Sequence, residues 1–261
     1  MKGIPRVILS NSLGTKLVIF DPERNTHMLM HGTTAHGLQS LDAARAAEPL
    51  VYYHRTGPIG DVFAVLAGRE AVRAGIIGLG AGCLAAYARP GDHFTFYELD
   101  PDVVRIARDP AFFTFLSRCR GKTEVVIGDG LAMLEGAPDG WYDLIVMDAF
   151  DSDSMPEHLY SGEAVALYRR KLAGHGLLMF NTMSTHVDLG AIISATVAGM
   201  GLTALKRADV NVSEAERAAG KLPSIYLTVT GHPAYIDALS RTYRWDVVTG
   251  GAAAAGNPGS V

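Results

Sequence analysis

Acidic side chains stand at the predicted ends of three consecutive strands. Glu98 ends one strand, Asp129 follows the next with one residue between, and Asp148 directly follows the third. A carboxylate can accept hydrogen bonds from both hydroxyl groups of a ribose, or from the amino group of an adenine. Because open α/β sheets bind ligands at the carboxyl ends of their strands, this spacing predicts a nucleoside-type ligand at one sheet edge.

A glycine-rich turn precedes these carboxylates. Gly78, Gly80 and Gly82 leave an apolar strand-like run and are predicted to open a helix. Glycines in such a turn let backbone N–H groups approach a ligand closely, and Gly130 is predicted to offer its N–H in the same way. The dinucleotide-binding pattern would place a glycine three positions after Gly80, where this chain has Cys83. That departure counts against a nicotinamide or flavin ligand.

The elements that must position these groups alternate between strands and helices. Strand-like apolar runs are predicted at residues 74–77, 94–97, 124–127, 144–147, 177–180 and 225–229. Helical patterns lie between most of them, and residues 57–73 carry apolar positions at helical spacing. This alternation predicts an α/β fold with a mostly parallel sheet covered on both faces.

Three regions are expected along the chain. Residues 1–50 combine short β-rich pieces with turn residues and predict a small β-hairpin region, whose edge strands could pair across a homodimer. Residues 51–248 form the predicted catalytic domain. Residues 249–261 are rich in Gly and Ala and are expected to be disordered.

Composition narrows the function classes. The 261 residues are 48% hydrophobic with a net charge of −4 and a pI near 6.1, so a nucleic-acid partner is not expected and a small-molecule substrate is. The chain has two cysteines, and its nine histidines show no metal-ligand pattern, so no metal site is expected. No run approaches the length of a membrane-spanning helix. A cytoplasmic protein without a membrane partner is the expectation.

Several stretches together resemble the spermidine synthase family, and more closely its bacterial spermidine-synthase-like branch, whose members are often fused to transporter segments. The likeness runs from about residue 31 to about residue 181. It is carried by residues 31–39, by Tyr52-Tyr53, by the glycine turn, by residues 97–101 and by residues 148–159. The resemblance implies a class I S-adenosylmethionine-dependent transferase fold, which is a Rossmann-like doubly wound sheet.

The resemblance also implies roles for individual residues. Glu98 would hold the ribose of the donor, Asp129 the adenine, and Gln39 would close over the nucleoside. Asp148 and Asp151 would match the Asp-x-x-Asp pair of the polyamine aminopropyltransferases. An attacking amine must be neutral, although a polyamine nitrogen has a pKa of about 10. Asp148 is therefore predicted to accept its proton, and Asp151 to anchor a second positive centre.

Two departures from the family pattern leave the donor open. Ala81 replaces an aspartate that would attract the propylamine ammonium of decarboxylated S-adenosylmethionine, and the diamine-binding loop is reduced to residues 222–226. The donor could thus be S-adenosylmethionine or its decarboxylated form, and the transferred group an aminopropyl or a related group. Two alternatives stay open, namely a small-molecule methyltransferase and a non-catalytic nucleoside-binding regulator.

A further set of side chains could face the acceptor, which is expected to be a small amine. Tyr53, His158 and Tyr226 are the predicted substrate residues. His31 and His36 lie near Gln39 in the sequence and could face the nucleoside.

Overall fold

A computed structural model describes residues 3–149, 155–183 and 188–248 of the chain. Within these ranges the chain forms a four-stranded sheet followed by an eight-stranded sheet. The predictions for Asp151 and for the tail at residues 249–261 fall outside the described residues.

The N-terminal sheet is an antiparallel meander in the order β1-β2-β3-β4. Val18 and Leu29 are buried on its inner face, while Ile8 on the edge strand β1 is largely exposed. This alternation of buried and exposed positions is typical of a sheet with one face on the core. The strands are β1 (Ile4–Asn11), β2 (Gly14–Asp21), β3 (Thr26–His31) and β4 (Thr34–Ser40).

The second sheet has the order β12-β10-β11-β9-β8-β5-β6-β7. Strands β5 to β9 are parallel, whereas β11 pairs antiparallel with β9 and β10. Every residue of β8 is buried, as expected for a strand covered on both faces. The strands are β5 (Arg73–Ile77), β6 (His93–Glu98), β7 (Lys122–Ile127), β8 (Tyr142–Met147), β9 (Leu172–Asn181), β10 (Thr203–Asp209), β11 (Ser224–Thr230) and β12 (Asp246–Val248).

The helices lie between these strands, and several begin directly at a strand end. Asp100 caps α2 by accepting from the N–H of Asp102, and Asp129 caps α3 by accepting from the N–H of Ala132. In the described residues the α-helices are α1 (Pro58–Val65), α2 (Pro101–Arg108), α3 (Gly130–Glu135), α4 (Gly162–Lys171), α5 (Leu189–Val197), α6 (Glu214–Ala218) and α7 (Pro233–Asp237). Shorter 3₁₀ turns span Leu66–Gly68, Cys83–Tyr87 and Glu157–Tyr160, and a π-helical turn spans Ala238–Thr242.

The predicted α/β class and all six predicted strands are confirmed, since each predicted run lies inside an observed strand. The helix expected over residues 57–73 is shorter: α1 ends at Val65, a 3₁₀ turn follows, and β5 begins at Arg73. The glycine turn opens a 3₁₀ turn at Cys83 and not an α-helix. Strands β10 and β12 were missed.

Strand β5 lies between β6 and β8. The chain continues from β5 through β6 and β7 on one side of the sheet and then through β8 and β9 on the other, so the strand order reverses at β5. A reversal of strand order opens a crevice at the carboxyl ends of the strands, and ligands of doubly wound sheets bind there. The glycine turn after β5 lies at this crevice.

Candidate active site

A cavity of about 450 Å³ lies at the carboxyl ends of β5, β6, β7 and β8. Its walls include the carboxylates that follow three of these strands, Glu98, Asp129 and Asp148. The hairpin between β1 and β2 forms a further wall, together with His31 and His36 from β3 and β4. The sheet topology therefore brings the predicted acidic groups to one cavity.

The glycine turn forms part of the cavity wall through Gly78 and Gly80, both of which have positive φ angles. A Cβ atom at Gly78 would lie 2.5 Å from the backbone oxygen of Asp148, and one at Gly80 would collide with the backbone oxygen of His36. Glycine is required at both positions because of conformation and close approach. The turn therefore lies against the backbone of Asp148 at one end and against the backbone of His36 at the other.

Glu98 faces the middle of this turn. Its Oε2 accepts a hydrogen bond from the N–H of Leu79 at 2.9 Å, and its Oε1 accepts from the N–H of Asp100 at 2.9 Å. Burial raises the pKa of Glu98 from its usual value, while these backbone N–H groups lower it. A carboxylate has about four lone-pair sites, so Glu98 can still accept from a ribose hydroxyl.

Asp148 accepts hydrogen bonds from two side chains. The hydroxyl of Tyr53 donates to its Oδ2 at 2.5 Å, and Nδ2 of Asn181 donates to its Oδ1 at 2.9 Å. Burial raises the pKa of Asp148 to about 6, although both hydrogen bonds act in the opposite direction. A carboxylate with a pKa this close to neutrality is a stronger base than an ordinary aspartate.

Asp129 lies at the open end of the cavity. Its side chain is 44% exposed, caps α3 through Oδ1, and has Oδ2 at 3.3 Å from Nε2 of His158. Gly130 is buried behind it and also lines the cavity, where a side chain would collide with Ile77. The structure thus brings His158 to the site beside Asp129.

The β1–β2 hairpin is tied to the strand ends by polar contacts. Lys16 is buried and forms an ion pair with Asp100, and its Nζ donates to the backbone oxygen of Leu13 at 2.8 Å. Nδ2 of Asn11 lies 2.9 Å from Oδ1 of Asp100 and 2.9 Å from Oδ2 of Asp102. These contacts hold the hairpin over the cavity next to Glu98.

Among residues 3–149, 155–183 and 188–248, no cluster of three or more potential ligand side chains is placed to hold a metal ion. In the same ranges, no helix has both the length and the apolar character to cross a bilayer.

Comparison with known proteins gives a fold match over most of the chain. A probable spermidine synthase from Corynebacterium glutamicum ATCC 13032 superposes with a TM-score of 0.66 at 19% identity, covering 86% of this chain and 79% of that one. Spermidine synthase from Thermotoga maritima gives a TM-score of 0.61 at 13% identity, covering 90% of this chain and 75% of that one. The chain has the spermidine synthase fold.

A sequence match supports the same resemblance over a shorter stretch. The chain is 34% identical over 115 residues to a polyamine aminopropyltransferase of Vibrio vulnificus (strain CMCP6). The matched stretch is 42% of this chain and 37% of that relative, so the chain spans little more than a third of the relative's length. No protein-family model matches the chain. The resemblance to spermidine synthases predicted from the sequence is thereby confirmed.

Within the spermidine synthase fold, Gln39 and Gly82 do not line the cavity. Gln39 is buried, and its Nε2 donates to the backbone oxygen of Ala46 at 2.6 Å and to Oγ1 of Thr114 at 2.9 Å. Its Oε1 accepts from the N–H of Thr114. Because its amide is fully engaged there, the structure gives Gln39 a role in joining β4 to the loop after α2. Gly82, with its positive φ, packs against Leu116.

The predicted substrate tyrosines lie behind Asp148 and not in the cavity wall. Tyr53 is buried and reaches the site through its hydrogen bond to Asp148. Tyr226 is fully buried, and its hydroxyl has no hydrogen-bond partner among the described residues. In this structure Tyr53 is therefore placed to act on the carboxylate directly, whereas Tyr226 makes no hydrogen bond to it.

Ala81 is fully buried and contributes no side chain to the cavity. A Cβ atom built on Gly37 would lie 2.5 Å from the Cβ of Ala81, and the N–H of Ala81 donates to the backbone oxygen of His36. Strand β4 therefore closes the space that a longer side chain at position 81 would need.

Two residues of the site, Asn181 and Lys16, are not among those predicted from the sequence. Asn181 ends β9, the strand next to β8, and Lys16 lies on β2 of the other sheet. Asn181 could have been found by extending the strand-end rule to the fifth parallel strand. Lys16 could not, because only the packing of the hairpin onto the sheet brings it to the cavity.

Proposed function

We propose that this chain is a transferase that moves an aminopropyl or related group from decarboxylated S-adenosylmethionine or S-adenosylmethionine to a small amine. The spermidine synthase fold and the sequence match to a polyamine aminopropyltransferase support this function. They favour it over the methyltransferase and over a regulator without turnover. The observation that carries it is the Asp148 carboxylate, with its pKa raised to about 6, in the same cavity as Glu98 and Asp129.

Glu98 and Asp129 define where the nucleoside of the donor would lie. Glu98 is held by two backbone N–H groups and is suited to accept hydrogen bonds from the ribose hydroxyls. Oδ2 of Asp129 lies 3.3 Å from Nε2 of His158 and has a second lone pair for the amino group of the adenine, with Gly130 beside it. The glycine turn between Glu98 and Asp148 is then adjacent to the sulfonium of the donor.

Asp148 would act as the base for the incoming amine. The amine nitrogen attacks a carbon bound to the sulfonium, the C–N bond forms as the C–S bond breaks, and the sulfur keeps the electron pair. The nitrogen passes its proton to Asp148. The leaving group is a neutral thioether, 5′-methylthioadenosine, and needs no acid. Tyr53 and Asn181 keep the Asp148 carboxylate oriented. Alignment of the amine nitrogen with the carbon that it attacks supplies much of the rate acceleration.

Asp151 is proposed, from the resemblance alone, to anchor a second positive centre of the acceptor. His158 is proposed to contact the ligand, because it lines the cavity beside Asp129.

Product analysis tests this function. The chain is incubated with each sulfonium donor and a set of diamines, and the products are identified by mass spectrometry. We expect 5′-methylthioadenosine and an amine heavier by the transferred group. Release of S-adenosylhomocysteine would indicate methyl transfer, and consumption of neither donor would contradict the proposal.

A further inference from the structure

The end of the glycine turn opposite Asp148 holds a polar group that no protein contact satisfies. Nε2 of His36 is buried and has no hydrogen-bond partner among the described residues, and His36 is one of the residues that line the cavity. Glu98, Asp100, Asp129 and Asp148, by contrast, each make hydrogen bonds with protein groups. Because a buried nitrogen without a partner is destabilising, a ligand atom is the natural partner for His36.

The backbone fixes where this nitrogen can act. The backbone oxygen of His36 accepts from the N–H of Ala81 at 3.0 Å, and the space above Gly80 is closed by the same residue. His36 therefore borders the turn that, under the proposed function, lies next to the sulfonium. Under that function, one substituent of the sulfur would face Asp148 and another would extend toward His36.

The charges around His36 distinguish between an anionic and a cationic partner. Burial, with smaller contributions from the neighbouring His31 and the Lys16 ammonium, lowers the pKa of His36 to about 4. The two imidazole rings lie 5.7 Å apart. His36 is therefore neutral near pH 7 and can donate one N–H from Nε2, in surroundings that disfavour an added positive charge.

We infer that His36 forms a subsite for a carboxylate on the donor, so that the chain binds S-adenosylmethionine in preference to the decarboxylated form. The inference rests on the proposed function, because it takes the position of the donor from Glu98 and Asp148. The two donors differ only in this carboxylate. The group next to the sulfonium that faces His36 then carries both an amino and a carboxylate group.

Binding measured by calorimetry with three probes tests the inference. 5′-Methylthioadenosine reports the nucleoside site alone, and the two sulfonium donors report the carboxylate. We expect the wild-type chain to bind S-adenosylmethionine roughly tenfold more tightly than the decarboxylated donor, the size of one hydrogen bond to a charged group. His36→Ala should remove this preference and leave the Kd of 5′-methylthioadenosine within about twofold, which also shows that the variant is folded. His36→Gln, which retains an N–H donor, should restore part of it.

His158→Ala is the matched control, because His158 lies at the Asp129 end of the cavity. This variant should raise the Kd of all three probes by the same factor and keep the preference for S-adenosylmethionine over the decarboxylated donor. Equal affinity of the wild-type chain for the two donors, or an unchanged preference in His36→Ala, would overturn the inference while 5′-methylthioadenosine still binds. Failure of 5′-methylthioadenosine to bind would instead overturn the proposed function and the inference with it.

Discussion

Asp148 and Asp129 both follow parallel strands and both line one cavity, yet their surroundings differ. Asp148 receives hydrogen bonds from Tyr53 and Asn181, and burial raises its pKa to about 6. Asp129 is 44% exposed and uses one oxygen to cap a helix. Position at a strand end therefore brings a carboxylate to the site, whereas burial decides whether it is suited to proton transfer or to binding.

The largest expected effect separates the two aspartates by activity. Asp148→Asn should lower kcat by roughly 10³-fold, because general base catalysis contributes effects of this size, and should leave the Kd of 5′-methylthioadenosine nearly unchanged. Asp129→Asn should instead weaken 5′-methylthioadenosine binding by roughly tenfold with a small effect on kcat. Release of 5′-methylthioadenosine and calorimetry measure the two quantities. Equal loss of kcat in both variants would remove the distinction.

Substitution of Asp148 and substitution of Asp129 should change the free energy of unfolding in opposite directions. The raised pKa means that folded Asp148 binds its proton more tightly than the unfolded chain does, so its stability contribution falls as pH rises from 3.8 to about 6. At pH 8, Asp148→Asn should therefore raise the free energy of unfolding by about 3 kcal/mol. Asp129→Ala should lower it by about 1 kcal/mol through loss of the helix cap.

Urea denaturation of the wild-type chain and both variants at pH 8 and pH 4.5 measures this difference. The gain in Asp148→Asn should shrink at the lower pH, where the wild-type carboxyl group is protonated in the folded chain. A gain of equal size at both pH values would show that the change comes from packing and not from charge.

Tyr53 and Tyr226 allow a matched test of what sets the pKa of Asp148, because only Tyr53 donates a hydrogen bond to it. Tyr53→Phe removes a hydrogen bond that lowers the pKa of Asp148, so the acid limb of the kcat profile should move to higher pH by about one unit. Tyr226→Phe should leave the limb in place, because the Tyr226 hydroxyl has no partner among the described residues. Rate profiles between pH 5 and 8 test both. A shift in Tyr226→Phe alone would reverse the assignment.

The smallest effect is expected at the exposed end of the cavity. His158 is 53% exposed and lies 3.3 Å from Asp129, and exposed ion pairs contribute little. His158→Ala should weaken 5′-methylthioadenosine binding by about threefold or less, measured by calorimetry. A loss of kcat comparable to that in Asp148→Asn would instead place His158 in proton transfer.

The sequence predicted the strand-end carboxylates because they follow continuous apolar runs, and such runs mark buried parallel strands. Strand β10 was missed for the same reason: its sequence, TALKRAD, has charged residues in its second half and no apolar run. The short β12, with its two exposed residues, gives no stronger signal. Fold class and the positions of Glu98, Asp129 and Asp148 thus follow from local pattern.

What the sequence could not predict depends on contacts between distant segments. Gln39 was expected over the nucleoside, yet its amide is hydrogen-bonded to Ala46 and Thr114. Lys16 reaches Asp100 only because the hairpin packs across the sheet edge. Neither pairing has a periodic signature, since the partners are brought together by tertiary structure.

The pH dependence of kcat in the wild-type chain tests most directly whether Asp148 is the base. With donor and diamine at saturation, the rate should fall on the acid side with a midpoint near pH 6, the pKa that burial gives to this carboxyl group. A midpoint near 4, as for an ordinary exposed aspartate, or a rate independent of pH between 5 and 8, would contradict the account.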